Sequence, residues 1–333
     1  MTDVQASGVL AGAQYAFEDP DVWGESAASM TASDETYVAF GQGVDVNITR
    51  NNNKERVFGI GARNATETVP KQYASALTIN GSLTNVYWLL GALGANSDGG
   101  SGPDSYTHTY TESTPLPSMT IQVPVSFGDT DYWEEFQGCR VKTTKISAAV
   151  NETVKFSLEL DVRHDSLNTA TKAIVEDAFV PFTFAEGVLE LPDGSTIAVV
   201  QNIELNFNNN NEPVYGIGSR FMSGNAPKQV EYDFTMSVAI KNFDLLSLLY
   251  DGSTGSAPSA TDQGTVATLI LTFTKGTESI VITMANVHLD SESRPISATE
   301  VIKQDMTGWA DDLTSVVYTN SVETAPTEAD NVV

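Results

Sequence analysis

The 333-residue chain has one cysteine, Cys139, and three histidines, His108, His164 and His288. A single cysteine excludes an intramolecular disulfide and every multi-cysteine metal site, and no two of the histidines stand at metal-ligand spacing. The HExxH, Walker and GxSxG signatures are missing as well. Base is scarce: 17 Lys plus Arg face 43 Asp plus Glu, a formal net charge of -26. That balance argues against a protein built to grip phosphates, because neutralising a nucleic-acid backbone needs a basic surface. Long apolar runs are missing too. No stretch approaches the roughly 18 residues of a membrane span, and the opening MTDVQASGVLAGAQYAFEDPDVWGE lacks the basic start and apolar centre of a signal peptide. The expectation is a soluble protein made inside a cell.

What is present is enough for a packed core: 41% hydrophobic and 9% aromatic residues. The length sets a prior of two domains. The acid excess suits a protein that works in very high salt, where self-repulsion is screened; an acidic surface in an ordinary cytoplasm is the plainer reading. Either one predicts association that depends on salt.

An internal repeat covers much of the chain. Residues 57 to 72 read VFGIGARNATETVPKQ and residues 214 to 229 read VYGIGSRFMSGNAPKQ. The offset is constant at 157, and eight of the sixteen positions are identical, where unrelated sequence would give about one. Downstream, Tyr73, Leu77, Ile79 and Leu83 fall opposite Val230, Phe234, Met236 and Ile240, in the alternating phase of half-buried strands. Asn85 and Asn242 then precede the apolar runs VYWLLGALG and FDLLSLLYDG. Asn is a good N-cap, so each copy reads as strand then short helix. Upstream, GVDVNI and NIELNF alternate and run into Asn-rich turns, expected to differ by two residues in length. Further alternating segments, SMTIQVPVSF, VKFSLELDV and TLILTFT, follow the helices.

These patterns predict a mostly β fold: two tandem sandwich or barrel domains, each with one short α-helix. The expected boundaries are 1–165 for the first domain with its N-terminal arm, 166–187 for a connector, 188–320 for the second domain and 321–333 for an acidic tail. The tail reads either as a frayed end or as an arm that orders on a neighbour.

Little in the sequence points to chemistry. Gly59 and Gly61, with Gly216 and Gly218, precede loops rather than helices, so they are not a dinucleotide fingerprint; a bulge or close backbone approach explains them better. Asp129, Asp131, Glu134 and Glu135 form the tightest acidic cluster. It offers oxygen ligands to a bound structural cation but lacks the spacing and turn glycine of a Ca²⁺ loop, and solvated carboxylates are the simpler account. Arg63 and Arg220, with Lys71 and Lys228, recur in both copies of a base-poor chain. They serve either contacts to carboxylates of the next subunit or pairs within their own domain.

The runs RNNNKERVFGIGAR and FNNNNEPVYGIGSR, with FQGCRVKTTKISAAVNETVKFSLELDV from Phe136 to Val162, resemble the major tail tube proteins of long-tailed viruses of bacteria and archaea. The opening AGAQYAFEDPDVWGE is similar to that family's N-terminal strand and bend, and after Met284 the second copy departs from the pattern. The resemblance implies a structural virion protein without cofactor or catalytic site. It implies rings whose inner strands join into one β-barrel and stack into the DNA conduit, and a duplicated chain would form trimeric, pseudo-hexameric rings. The implied partners are further copies of the chain, a tape measure, a tail terminator and a distal tail protein. Viral DNA would pass through without specific binding, and no membrane is involved. The acid content makes a haloarchaeal host the expectation. Gly59, Gly61, Arg63, Lys71, Gly216, Gly218, Arg220 and Lys228 are then the candidates for contacts between stacked rings. From a different class, an acidic surface-binding module, such as an adhesin or capsid decoration protein, fits the composition but gives no reason for the repeat. An enzyme would need a convergent nucleophile and base that this chain does not offer.

Overall fold

The computed structural model describes residues 12–19, 23–24, 37–61, 63–102, 105–126, 131–168, 179–191, 199–251, 257–258, 266–297, 299 and 301–326. The fold is mostly β, as the alternating pattern predicts. In chain order the strands of the first half are β1 (Gln14–Phe17), β2 (Val38–Ala39), β3 (Gln42–Asn51), β4 (Lys54–Val57), β5 (Glu67–Pro70), β6 (Ala74–Ser82), β7 (Gly94–Gly100), β8 (Tyr106–Glu112), β9 (Met119–Ser126), β10 (Asp131–Ala149), β11 (Lys155–Val162) and β12 (His164–Asn168). The second half has β13 (Gly187–Glu190), β14 (Val200–Asn208), β15 (Glu212–Tyr215), β16 (Met222–Ala226), β17 (Glu231–Ala239), β18 (Val266–Lys275), β19 (Glu278–Ser293) and β20 (Lys303–Asn320). The helices are α1 (Leu89–Leu93) and α2 (Asp244–Asp251).

Sixteen strands share one hydrogen-bonded sheet, whose main path runs β13-β18-β19-β20-β17-β14-β10-β11-β6-β3. The alternation read from VKFSLELDV is realised in β11: Phe156, Leu158, Leu160 and Val162 are buried, while Lys155 and Glu159 face solvent. Tyr232, Phe234, Met236 and Val238 do the same in β17. These inward rows, α1 and the aromatic residues Tyr15, Phe40, Trp88 and Phe182 form a core that extends through both halves. Hydrophobic burial on one face of a long sheet is the force that holds both halves together.

The turns that follow β3 and β14 share one local bond pattern. Asn53 and Asn210, 157 apart, both take positive φ, and in each turn the amide of that residue is received by the side chain two before it, Asn51 or Asn208. The strands leave two residues between β3 and β4 and three between β14 and β15, a difference of one where the sequence reading expected two. Asn tolerates this left-handed backbone because its side chain bonds locally.

Asn85 is the other correction. It does not cap α1, whose N-cap is Trp88 with no side-chain bond; Asn85 is buried and donates Nδ2 to the Ala39 carbonyl. The first turn of α1 lies wholly in the core, and the asparagine instead anchors the strand that precedes β3. Asn242 stands one residue outside the cap position of α2: the Phe243 carbonyl receives the Ser247 amide at 2.9 Å, and Asn242 Oδ1 receives the Asp244 amide at 3.4 Å.

Of the sequence features, Asp129, residues 169–178 of the connector and residues 327–333 of the tail lie outside the described residues. The described start of the tail packs on the first half: the Ala325 amide donates to Asp98 Oδ2 at 3.1 Å, and Ala325 is buried.

Candidate assembly surface

The two halves meet strand to strand. The C-terminal part of β10 pairs with β14 from Thr143↔Asn208 to Ala149↔Asn202. On its other edge β10 pairs with β11, and before the joint its near edge is held by β9, up to Cys139↔Met119. A bulge between Val141 and Thr143 marks the hand-over.

β19 repeats this arrangement with the last partner missing. Its near edge is held by β18 up to Val287↔Val266, its far edge by β20, and a bulge lies between Leu289 and Ser291. Val287 stands 148 residues after Cys139, and Leu289 the same distance after Val141. Beyond that bulge, where β10 receives β14, the near edge of β19 has no strand partner among the described residues. At the opposite end of the sheet β3, the counterpart of β14 at offset 157, pairs only with β6 among the described residues. Among the described residues one chain thus ends in two edges without a strand partner, which match the two sides of its own internal joint. Such edges template further strand pairing.

The hairpins reinforce the joint. Arg220, at the end of the β15–β16 loop, donates Nε to the Lys71 carbonyl at 2.7 Å and Nη2 to Asn52, at 2.9 Å to its carbonyl and 2.6 Å to Oδ1. The Arg220 carbonyl receives the Tyr73 amide at 2.8 Å. Phe221 packs edge-on against Tyr73 at 5.9 Å and lies 5.6 Å from the His164 ring. Lys71 and Lys228 hold equivalent ion pairs inside their own hairpins, each 2.5 Å from its carboxylate, Glu55 or Glu212. Lys228 accordingly lowers the pKa of Glu212. Arg63 is exposed and has no hydrogen-bond or ion-pair partner among the described residues. Gly61 and Gly218 take positive φ, +79° and +100°, in the two tips, and there the backbone conformation itself calls for glycine. Gly59 and Gly216 precede them, and the Gly216 amide donates to Ser223 Oγ at 3.2 Å. Both tips raise an isoleucine clear of the surface, Ile60 and Ile217, each with relative exposure of 111%.

Of the acidic cluster, Glu134 and Glu135 do not converge. Strand alternation sends Glu134 and Glu135 to opposite faces of β10. Glu134 pairs with Arg50, which also binds Asp165 at 2.6 Å; buried Glu135 receives Gln122 and Gln137. Asp131 starts the strand. Among the described residues no three His, Cys, Asp or Glu side chains gather as a metal site, and no helix is long and apolar enough to cross a membrane.

The solvent face of the sheet is polar across both halves. One row of neighbours reads Asp45, Asn80, Ser157, Lys145, Asn206, Asp233 and Trp309. Glu159, Asp161, Glu204, Glu231 and Asp305 lie on the same face against Lys155 and Lys303, so the face carries net negative charge.

A model of the family described as phage tail tube protein matches residues 8–310. The chain belongs to that family. A search of curated proteins finds no match. As a tail tube protein the chain is a structural component of the virion tail, in a family not known as enzymatic. The paired strand edges and repeated hairpins are the features of this tail tube protein from which an assembly can be argued. Sequence reading found the hairpin residues through their repetition. It missed the β3 and β19 edges, because an unpaired edge leaves no mark on residue identity.

Proposed function

We propose that this tail tube protein is two copies of one tube module, and that three chains close into a pseudo-hexameric ring. The carrying observation is the β10–β14 joint together with the complementary open edges of β3 and β19. In this reading the open stretch of β19 receives β3 of the next chain, as β10 receives β14. Each chain brings eight strands to the wall, β3, β6, β11, β10, β14, β17, β20 and β19, so the closed barrel has roughly 24. Rotational closure limits the ring, while contacts between its top and bottom repeat without closing and give a tube. The hairpin tips, with Ile60 and Ile217, are the proposed contacts between rings.

The polar face would line the bore. Its carboxylates repel phosphate and leave few sites at which DNA can stick, as passage requires. Assembly in the host cytoplasm, contacts with a tape measure, a terminator and a distal tail protein, and a haloarchaeal host complete the reading. Electron microscopy of the purified protein across a salt series tests it: hollow rods with three-fold rings are expected, and monomers at every salt and protein concentration would reject it.

A further inference from the structure

Arg220 and Arg63 occupy the same place in the two hairpin loops, 157 residues apart. Arg220 is spent on the joint inside the chain: it leaves the second half and grips Asn52 and the Lys71 carbonyl of the first. Their counterparts by position in the second half are Lys228 and Asn209, the latter buried with Nδ2 on the Ala92 and Val141 carbonyls and its own carbonyl taking the Lys228 amide. Arg63 cannot serve the internal joint, since it lies on the half whose β3 edge is open. We infer that Arg63 is the intermolecular hook, docking on the Asn209–Lys228 turn of a second copy while β3 of its own chain joins β19 of that copy with Asn51 opposite Ser291 and Thr49 opposite Ser293.

This rests on the ring reading and adds to it the anchoring residue and the register. The register is carried over from the internal joint, where Thr143 faces Asn208 and Lys145 faces Asn206. Residues of β10 map to β19 by 148, as the shared bulge fixes, and residues of β14 map to β3 by 157. The transferred register is chemically consistent. It sets Glu292 opposite Arg50, two residues already paired within their own chain, Glu292 with Arg294 at 3.3 Å and Arg50 with Glu134 and Asp165, so the contact adds a partner to each and supplies no missing one. A slip of one residue would turn these side chains to the wrong face.

Cysteine pairs test the register. Ser293→Cys with Thr49→Cys should cross-link between chains once tubes have assembled in high salt, giving dimers and closed trimers on a denaturing gel. Ser293→Cys with Asn47→Cys, two residues out of phase, should give little. Cys139 is fully buried and adds no background thiol. Arg63→Ala tests the hook: the protein concentration for half-assembly should rise ~10-fold or more, with the melting temperature of the unassembled chain unchanged. Arg220→Ala should instead lower that temperature, because its acceptors lie in its own chain. Tubes that cross-link only out of phase, or that form normally with Arg63→Ala, overturn this inference and leave the ring reading standing. A wild-type chain that never forms rings overturns both.

Discussion

At the scale of single residues, one heavily bonded group is absent from the sequence reading. Glu18 is fully buried, and its carboxylate receives the amides of Gly24 and Gly138 at 2.8 and 2.7 Å and the hydroxyls of Ser118 and Thr120 at 2.6 and 3.0 Å. No sequence spacing reveals this, because three of the four donors, Ser118, Thr120 and Gly138, lie 100 or more residues away on two other segments. A buried carboxylate is tolerated where hydrogen bonds replace its water. Glu18→Ala leaves those donors unsatisfied and should lower stability by about 3 kcal/mol, measured by urea unfolding of the unassembled chain. His164 gives a pH dependence. Burial first, then the neighbouring Arg163 charge, lowers its pKa below the ordinary 6.5. The unfolded chain therefore takes up a proton before the folded one, so the contribution of neutral His164 is complete above pH 6.5 and is lost as pH falls through the lower, folded value. His164→Gln should flatten the decline in melting temperature on acidification below pH 6.5; an unchanged slope would assign it to other groups.

At the scale of elements, repetition made the hairpins and their neighbouring strands legible, while the helix ends were not. The Asn-rich turns stood out because only Asn and Gly accept left-handed backbone cheaply, whereas repetition singled out Lys71 and Lys228 but left open whether they pair in their own domain or with the next subunit. Asn85 was misread because N-cap preference is a local property, whereas α1 is buried on all sides and its preceding asparagine was taken up by a strand. The C-terminal end of α1 is set by Gly94, with φ +99° and an added Cβ only 2.2 Å from the Ser113 carbonyl oxygen. Gly94→Ala should therefore cost about 1–3 kcal/mol through backbone strain and the clash, read as a lower urea midpoint. Loss of sequence likeness after Met284 hid another match. The bulges of β10 and β19 stand at equivalent places although Val141-Lys142-Thr143 and Leu289-Asp290-Ser291 share no residue. Pairing geometry is held by backbone bonds and tolerates such replacement.

At the scale of the whole molecule, charge and assembly oppose each other. A formal charge of -26 on each chain makes copies repel at low ionic strength, and the range of that repulsion shrinks from about 10 Å at 0.1 M salt to about 3 Å at 1 M. Assembly, followed by light scattering, should begin at lower protein concentration as salt rises from 0.1 to 2 M. An assembly threshold that is independent of salt would remove surface repulsion from the account.

The sequence by itself determined the mostly β character, through the two-residue period of its apolar positions, and the repeated hairpins, through identities at a fixed offset. Both are encoded locally, in side-chain type and spacing. Only the tertiary structure decided that the halves join through β10 and β14 into one sheet, that Arg220 is already engaged, and that β3 and β19 carry open edges. Those outcomes depend on backbone groups that every residue carries alike, so residue identity alone does not specify which of them find a partner.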